Sequence, residues 1–330
     1  MHALAVILMS LSSAGAMAVT PSDQLAFMRD GAVWVVDETG ENERKLALEP
    51  KYDRPLIWTP DGKAVIVWDH RRGGWDFWSV AIDGSSMTNL TNATSGGCRS
   101  ARFSPDGTRI AFMRDDPPGV YVMNADGSDQ RRLTENGHRD VAPAWSADGS
   151  RLAYVVLLPA GERRVRMEIR VVDVTGENEG VLVHSEHSAD SPSWSPAGER
   201  LLYVARRAGH HVICIADSDG GDERFLSSPD EDGIQPVWSP AGKWVAHYVR
   251  REDGRHDLRV LTPDDLQQRT LVTFSGRPSL PAWSPDGTKL AYTAEVGDTS
   301  GLYVVDLLGG APRKIAEGRI TCPVWRPSKK

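Results

Sequence analysis

The pentapeptide WSPDG, Trp283 to Gly287, decides the fold because the chain keeps returning to it. Related phrases are WTPDG (Trp58 to Gly62), FSPDG (Phe103 to Gly107), WSADG (Trp145 to Gly149) and WSPAG (Trp194 to Gly198, again Trp238 to Gly242). A seventh, WRPSK, starts at Trp325. Steps between successive aromatic positions are 45, 42, 49, 44, 45 and 42 residues. A period of that length, with one aromatic and one Gly turn per unit, marks a propeller or an array.

Outward from each phrase the same grammar recurs. After WSPDG come LAYT and LYVV, short β-branched and aromatic runs separated by Gly-rich segments. Each unit therefore supplies four strands, named A (ending at the aromatic), B, C and D. Ser-Pro-Asp-Gly suits the tight A–B turn, since Pro presets one φ and Gly takes the strained position. Asp83-Gly84, Asp126-Gly127 and Asp219-Gly220 carry the hairpin signal between C and D. Pro143, Pro192, Pro236, Pro281 and Pro323 stand two residues before a Trp. A proline there removes a ladder donor, which makes strand A a sheet edge. The innermost strand of a propeller blade is such an edge.

The two ends complete each other. LAFMRDG from Leu25, VWVVDETG from Val33 and ERKLAL from Glu43 form a B–C–D set with no strand A before it. Thr321 to Trp325 is a strand A with nothing after it. Pairing them gives an all-β, seven-bladed propeller with no open seam. Residues 19–330 are read as this one domain.

Residues 1–18 read differently. The apolar run Ala3 to Leu11 and the ending Ala16-Met17-Ala18 fit a secretory signal peptide, which predicts a periplasmic or secreted protein. A buried N-terminal strand is the competing reading. No stretch is long and apolar enough to span a bilayer. Net charge is -7 with no basic run, which argues against a nucleic-acid partner. Three cysteines, Cys98, Cys214 and Cys322, make no disulfide framework.

The phrases resemble the WD40-like Pro-Asp repeats of the TolB family, and Val120 to Thr134, VYVMNADGSDQRRLT, is an especially close match. The resemblance covers Leu25 to the end and implies the propeller fold. It leaves function open, because such repeats serve scaffolds, accessory domains and lyases. TolB itself has an α/β domain ahead of its propeller, whereas here a strand follows the leader within about ten residues of it, so the chain reads as TolB-like rather than as TolB. Prolyl-oligopeptidase relatives pair such a propeller with a hydrolase domain; no G-x-S-x-G elbow is present here.

Strand order sorts side chains onto two faces. Arg54, Arg99, Arg139, Arg277 and Arg319 precede their aromatic by four or six residues, on D–A loops at the channel mouth, and Asp190 and Asp232 take that place in two blades. Arginine binds carboxylates bidentately, so this mouth could receive an acidic small ligand, an acidic glycan or an acidic protein segment. Alternatively these arginines pair between blades with Asp53, Asp140, Asp190, Glu186 or Glu317. His70, His210, His211 and His256 fall in B–C loops of this face, and His138 and His187 in D–A loops. His138, Asp140, His187 and Asp190 form an alternative metal set, and oligogalacturonate lyases, similar seven-bladed proteins, use a metal in such a place. Trp75, at a hairpin tip, could stack on a sugar or anchor a partner. The reading favoured is a monomeric, non-catalytic binding scaffold with no cofactor. The alternative is a metal-assisted lyase or hydrolase acting on an acidic saccharide.

Overall fold

Each strand B run is apolar on both sides, and the structure shows why. The computed structural model describes residues 24–46, 56–70, 74–92, 97–160, 165–183, 188–296 and 299–328. The leader segment 1–18, Arg54 and His187 lie outside the described residues, as do Asp53 and Glu186. Among the described residues every regular element is a strand, and the strands form seven four-stranded antiparallel sheets. Leu152, Ala153, Tyr154, Val155 and Val156 of one strand B are completely buried. Both faces of such a sheet are covered by neighbouring blades, so alternation gives way to a continuous apolar run.

Blade 1 contains the ring closure. Its strand A is Ile320–Trp325, and strands B to D are Gln24–Arg29, Ala32–Asp37 and Arg44–Lys45. Leu25 pairs with Trp325, and Arg29 with Ile320. The last strand thus sits at the inner end of a sheet whose other strands come from the start of the described chain. Blades 2 to 7 follow in order, each with its aromatic at the end of strand A. Leu25, Phe27 and Trp325 of blade 1 pack with Ala291, Leu302 and Val304 of blade 7 in one cluster.

The repeat tryptophans do more than fill space. Each of five donates its indole N–H to the carbonyl just before the aromatic of the preceding blade. These are Trp58 to Val324 (3.1 Å), Trp145 to Arg102 (3.0 Å), Trp238 to Ser193 (3.2 Å), Trp283 to Val237 (3.3 Å) and Trp325 to Ala282 (3.0 Å). Trp194 is the exception, its indole N–H being buried without a partner. The A–B turn is equally regular. In blade 3 the Ser104 hydroxyl donates to Asp106 at 2.5 Å, and Asp106 accepts the Thr108 N–H at 3.1 Å. Gly107 there has φ of 73°, and a Cβ on it would meet Pro60 of the previous blade's turn at 2.7 Å. Glycine is needed on both counts.

Strand A carries one feature beyond the edge position expected from its prolines. Ser100, Ala142, Ser191, Gln235 and Cys322, each three residues before the aromatic, have φ between 53° and 56°. The ladder with strand B shifts register across each of these five positions. This is a repeated β-bulge on the channel side, a device that kinks a strand and re-aims its side chains. Among the described residues Cys98, Cys214 and Cys322 form no disulfide. Among the described residues no helix is long and apolar enough to cross a membrane.

Candidate functional site

Because every pairing within a blade is antiparallel, the starts of strands A and C and the ends of B and D share one face. Among the described residues that face holds four of the predicted arginines, Arg99, Arg139, Arg277 and Arg319. Arg99, at the start of strand A of blade 3 (Cys98–Phe103), lies 2.9 Å from Asp115, and Arg139, opening strand A of blade 4 (Arg139–Trp145), lies 3.4 Å from the same carboxylate. Asp115 ends strand B of blade 3 and was not among the partners expected from the sequence. It leaves Arg139 half exposed, with 52% of its side chain accessible. Two of the predicted arginines are thus shared by one acid across a blade boundary.

Arg277 and Arg319 behave differently. Both are exposed, and neither has an ion-pair or hydrogen-bond partner among the described residues. They line one cavity of about 690 Å³ together with Ser279, Thr293, Glu295 and Thr321. The D–A loops on either side of blade 7 bring them there. Thr293 is buried and its hydroxyl accepts the Ser279 N–H at 3.0 Å, which pins the loop wall. The Thr321 hydroxyl on the same wall is buried and without a partner. An unmet buried hydroxyl beside two unpaired guanidinium groups suits an incoming oxyanion.

A second cavity, also about 690 Å³, lies where blades 5 and 6 meet. Asp232 stands on its wall and accepts the His211 backbone N–H at 2.9 Å. The His211 and His210 rings approach the same carboxylate oxygen at 3.4 and 3.8 Å. Burial works against the Asp232 anion, but the His211 N–H and the two imidazoles outweigh it and hold the carboxyl below its usual range. Asp190, on strand A of blade 5 (Ala189–Trp194), is pushed the other way by burial. Arg259 on the floor is held by Glu231 at 2.9 Å and by the buried Asp257 at 3.0 Å.

Among the described residues the alternative metal set is not gathered. Asp140 is buried, with its oxygens taken by the Thr134 hydroxyl at 2.5 Å and the Asn136 amide at 3.1 and 3.2 Å. Burial raises its pKa despite those donors. Among the described residues no three His, Cys, Asp or Glu side chains stand close enough to hold one metal ion. His187, the remaining candidate, is outside them.

Trp75 departs from the hairpin-tip picture. It is half buried, stacked on Trp68 with ring centroids 3.9 Å apart. Its carbonyl accepts the Cys98 N–H at 2.9 Å, and it forms a parallel bridge with Gly97. The hairpin of blade 2 leans onto blade 3, so the indole is a joint between blades. Beside it the Trp68 ring, Arg99 and Ala101 line a small cleft of about 140 Å³.

Sequence reasoning missed Asp115, Glu295 and Thr321. Each sits at an end of strand B or start of strand A on the predicted face, so strand order could have sorted them. Which of them meet depends on neighbouring blades, and the repeat does not encode that.

The family described as "TolB beta propeller domain" matches residues 205–330. The Tol-Pal system protein TolB of Anaeromyxobacter dehalogenans is 32% identical over 128 residues, covering 36% of this chain and 28% of that protein. The chain therefore matches under a third of the length of that relative. Among solved structures, an oligogalacturonate lyase in complex with manganese superposes with a TM-score of 0.70 at 14% identity, covering 89% of this chain and 85% of its own. TolB from Acinetobacter baumannii gives 0.57 at 16% identity, over 93% and 83%. At those identities the likeness concerns the fold alone. Repeat phrases, the domain matched over residues 205–330 and seven four-stranded blades agree: the chain is a seven-bladed β-propeller similar to that of the TolB family.

Proposed function

We propose that this propeller is a non-catalytic binding scaffold, exported to the periplasm or secreted, which engages an acidic group of its partner at the channel-mouth face. The observation that carries the reading is the convergence of Arg277 and Arg319, both without an ion-pair partner among the described residues, on one cavity. Its volume falls within the range typical of binding pockets. Arg99 and Arg139 contribute less, because Asp115 already neutralises part of their charge. The TolB likeness supports a binding role in general terms.

Binding of fluorescently labelled poly-glutamate at low salt tests the site. Wild-type protein is expected to bind with marked salt dependence, and Arg277→Ala with Arg319→Ala to lose most of that affinity. Equal binding by the double variant would remove the proposal. Export is checked by N-terminal sequencing after expression in a Gram-negative host. A mature chain starting at Val19 is expected, and retention of residues 1–18 counts against export.

A further inference from the structure

Blade 6 separates two cavities of equal volume and opposite charge balance. The cavity beside blade 7 is basic, with Arg277 and Arg319 facing the single carboxylate of Glu295. The cavity at blades 5 and 6 leans acidic. Arg259 is spent on Glu231 and Asp257, and Arg251 lies 3.3 Å from Asp257. Asp230 and Glu252 are left exposed with no cationic partner among the described residues, against one such cation, Arg250.

Their separation follows from register. Arg250, on the wall of the acidic cavity, pairs with His256, and His256 pairs with Phe274. Gly276 and Arg277 of the basic cavity come two and three residues later. Neighbouring strands lie about 4.8 Å apart, so Arg250 and Phe274 stand roughly 10 Å apart, and the residues on to Gly276 and Arg277 add up to about 10 Å more; the span corresponds to about three to six residues of extended chain. The Glu295 N–H donates to the Ser275 carbonyl at 2.9 Å, which ties the intervening loop to blade 7.

Resting on the reading of this face as a binding surface, the geometry points to a more specific occupant. It is a polypeptide segment that places an acidic side chain in the Arg277/Arg319 cavity and a basic one, about three to six residues away, in the Asp230/Glu252 cavity. An acidic saccharide carries one sign of charge and would meet repulsion at the second cavity. One small molecule would not fill both, since each alone has the volume of a complete ligand site. A polypeptide presents both signs at this spacing, and fixed complementary charges would set its direction and register.

Panning a random twelve-residue peptide library on the full chain at low salt tests this. The quadruple variant R277E/R319E/D230K/E252K serves as the counter-target. Enriched peptides are expected to carry an acidic and a basic residue about three to six positions apart. Their affinity, read by fluorescence anisotropy, should fall about tenfold or more in R277E/R319E and separately in D230K/E252K. Each loss should be recovered by the peptide reversed in charge at the matching end. Enrichment of purely acidic peptides, insensitive to D230K/E252K, overturns the two-cavity inference while leaving the acidic-group reading intact. Enrichment without charge preference, no enrichment at all, or unchanged affinity in R277E/R319E overturns both. All four side chains are exposed, and matched melting curves exclude a folding defect.

Discussion

The indole N–H of Trp58 donates to the carbonyl oxygen of Val324 at 3.1 Å, linking residues 266 positions apart. With Trp325 donating to Ala282, it places a hydrogen bond on each side of the closing blade. The ring is therefore fastened by the same residues that write the repeat. Replacing Trp325 by Phe keeps part of the packing and removes one buried donor together with its acceptor's partner, a loss of about 1 kcal/mol or more. Trp325→Ala also empties a core site and should cost about 3–5 kcal/mol. Urea unfolding measures both. Equal losses would show that the hydrogen bond and packing had been misapportioned.

Trp194 provides the internal control, since its indole N–H is buried but unpaired. Trp194→Phe removes an unmet donor and leaves no acceptor stranded, so with the same loss of ring volume it should cost less than Trp325→Phe. The Arg151 guanidinium lies 5.2 Å from that ring centroid and would keep an aromatic face to rest on. A penalty matching that of Trp325→Phe, in the same urea series, would contradict this difference between blades.

These contrasts show where the sequence was legible. The phrase around Trp283, the prolines before each Trp and the split blade at the two ends dictated ring, edge strand and closure, because each is a local consequence of φ preference or donor loss. The left-handed residues at Ser100, Ala142, Ser191, Gln235 and Cys322 were not legible, since no glycine marks them. The site was legible by face but not by grouping. Arg139 meets Asp115, and Arg277 shares a cavity with Arg319, through contacts between blades, which the period alone leaves unspecified. Trp75 read as exposed because a hairpin tip in isolation is exposed; its neighbour Trp68 and the edge of blade 3 cover it.

Asp115 offers a third test. Both of its ion pairs are partly exposed, so Asp115→Asn should change stability by less than about 1 kcal/mol. It should nevertheless free Arg99 and Arg139, raise the positive field at the mouth and tighten poly-glutamate binding at low salt. Unaltered binding would place these two arginines outside the site.

The tight turns predict behaviour in acid. Asp106 and Asp148 are held down to about 2, chiefly by the hydroxyls of Ser104 and Ser146 and then by the following N–H groups. Their folded pKa lies below the unfolded value of 3.8, so the stability they add is present above the unfolded value and is lost as pH falls through about 2. Urea midpoints should drop between pH 4 and pH 2 (about two units of pH). The double variant D106N/D148N should drop less steeply over that window. Parallel declines would mean that these turns do not contribute to acid sensitivity.

His247 governs a higher pH window. It stands nine residues after Trp238, at the place where other blades carry Phe112, Tyr154, Tyr203 or Tyr292. It is completely buried, and neither ring nitrogen has a partner. Burial, with the Arg259 charge across the ladder, lowers its pKa from 6.5 to about 3. The unfolded chain therefore takes up a proton on this side chain below 6.5 while the folded chain resists until about 3. Folding stability should fall as pH drops through that interval, by at most about 1.4 kcal/mol per pH unit from this group. His247→Phe restores the aromatic of the repeat, removes two unmet polar atoms and should gain about 1 kcal/mol or more at neutral pH. The decisive measurement is unfolding free energy at pH 7, 6, 5 and 4 (about neutral to mildly acidic) for both proteins. The stability gained by the Phe variant should widen steadily toward the acid end, and a constant difference across the series would show that the imidazole titrates normally in the folded chain.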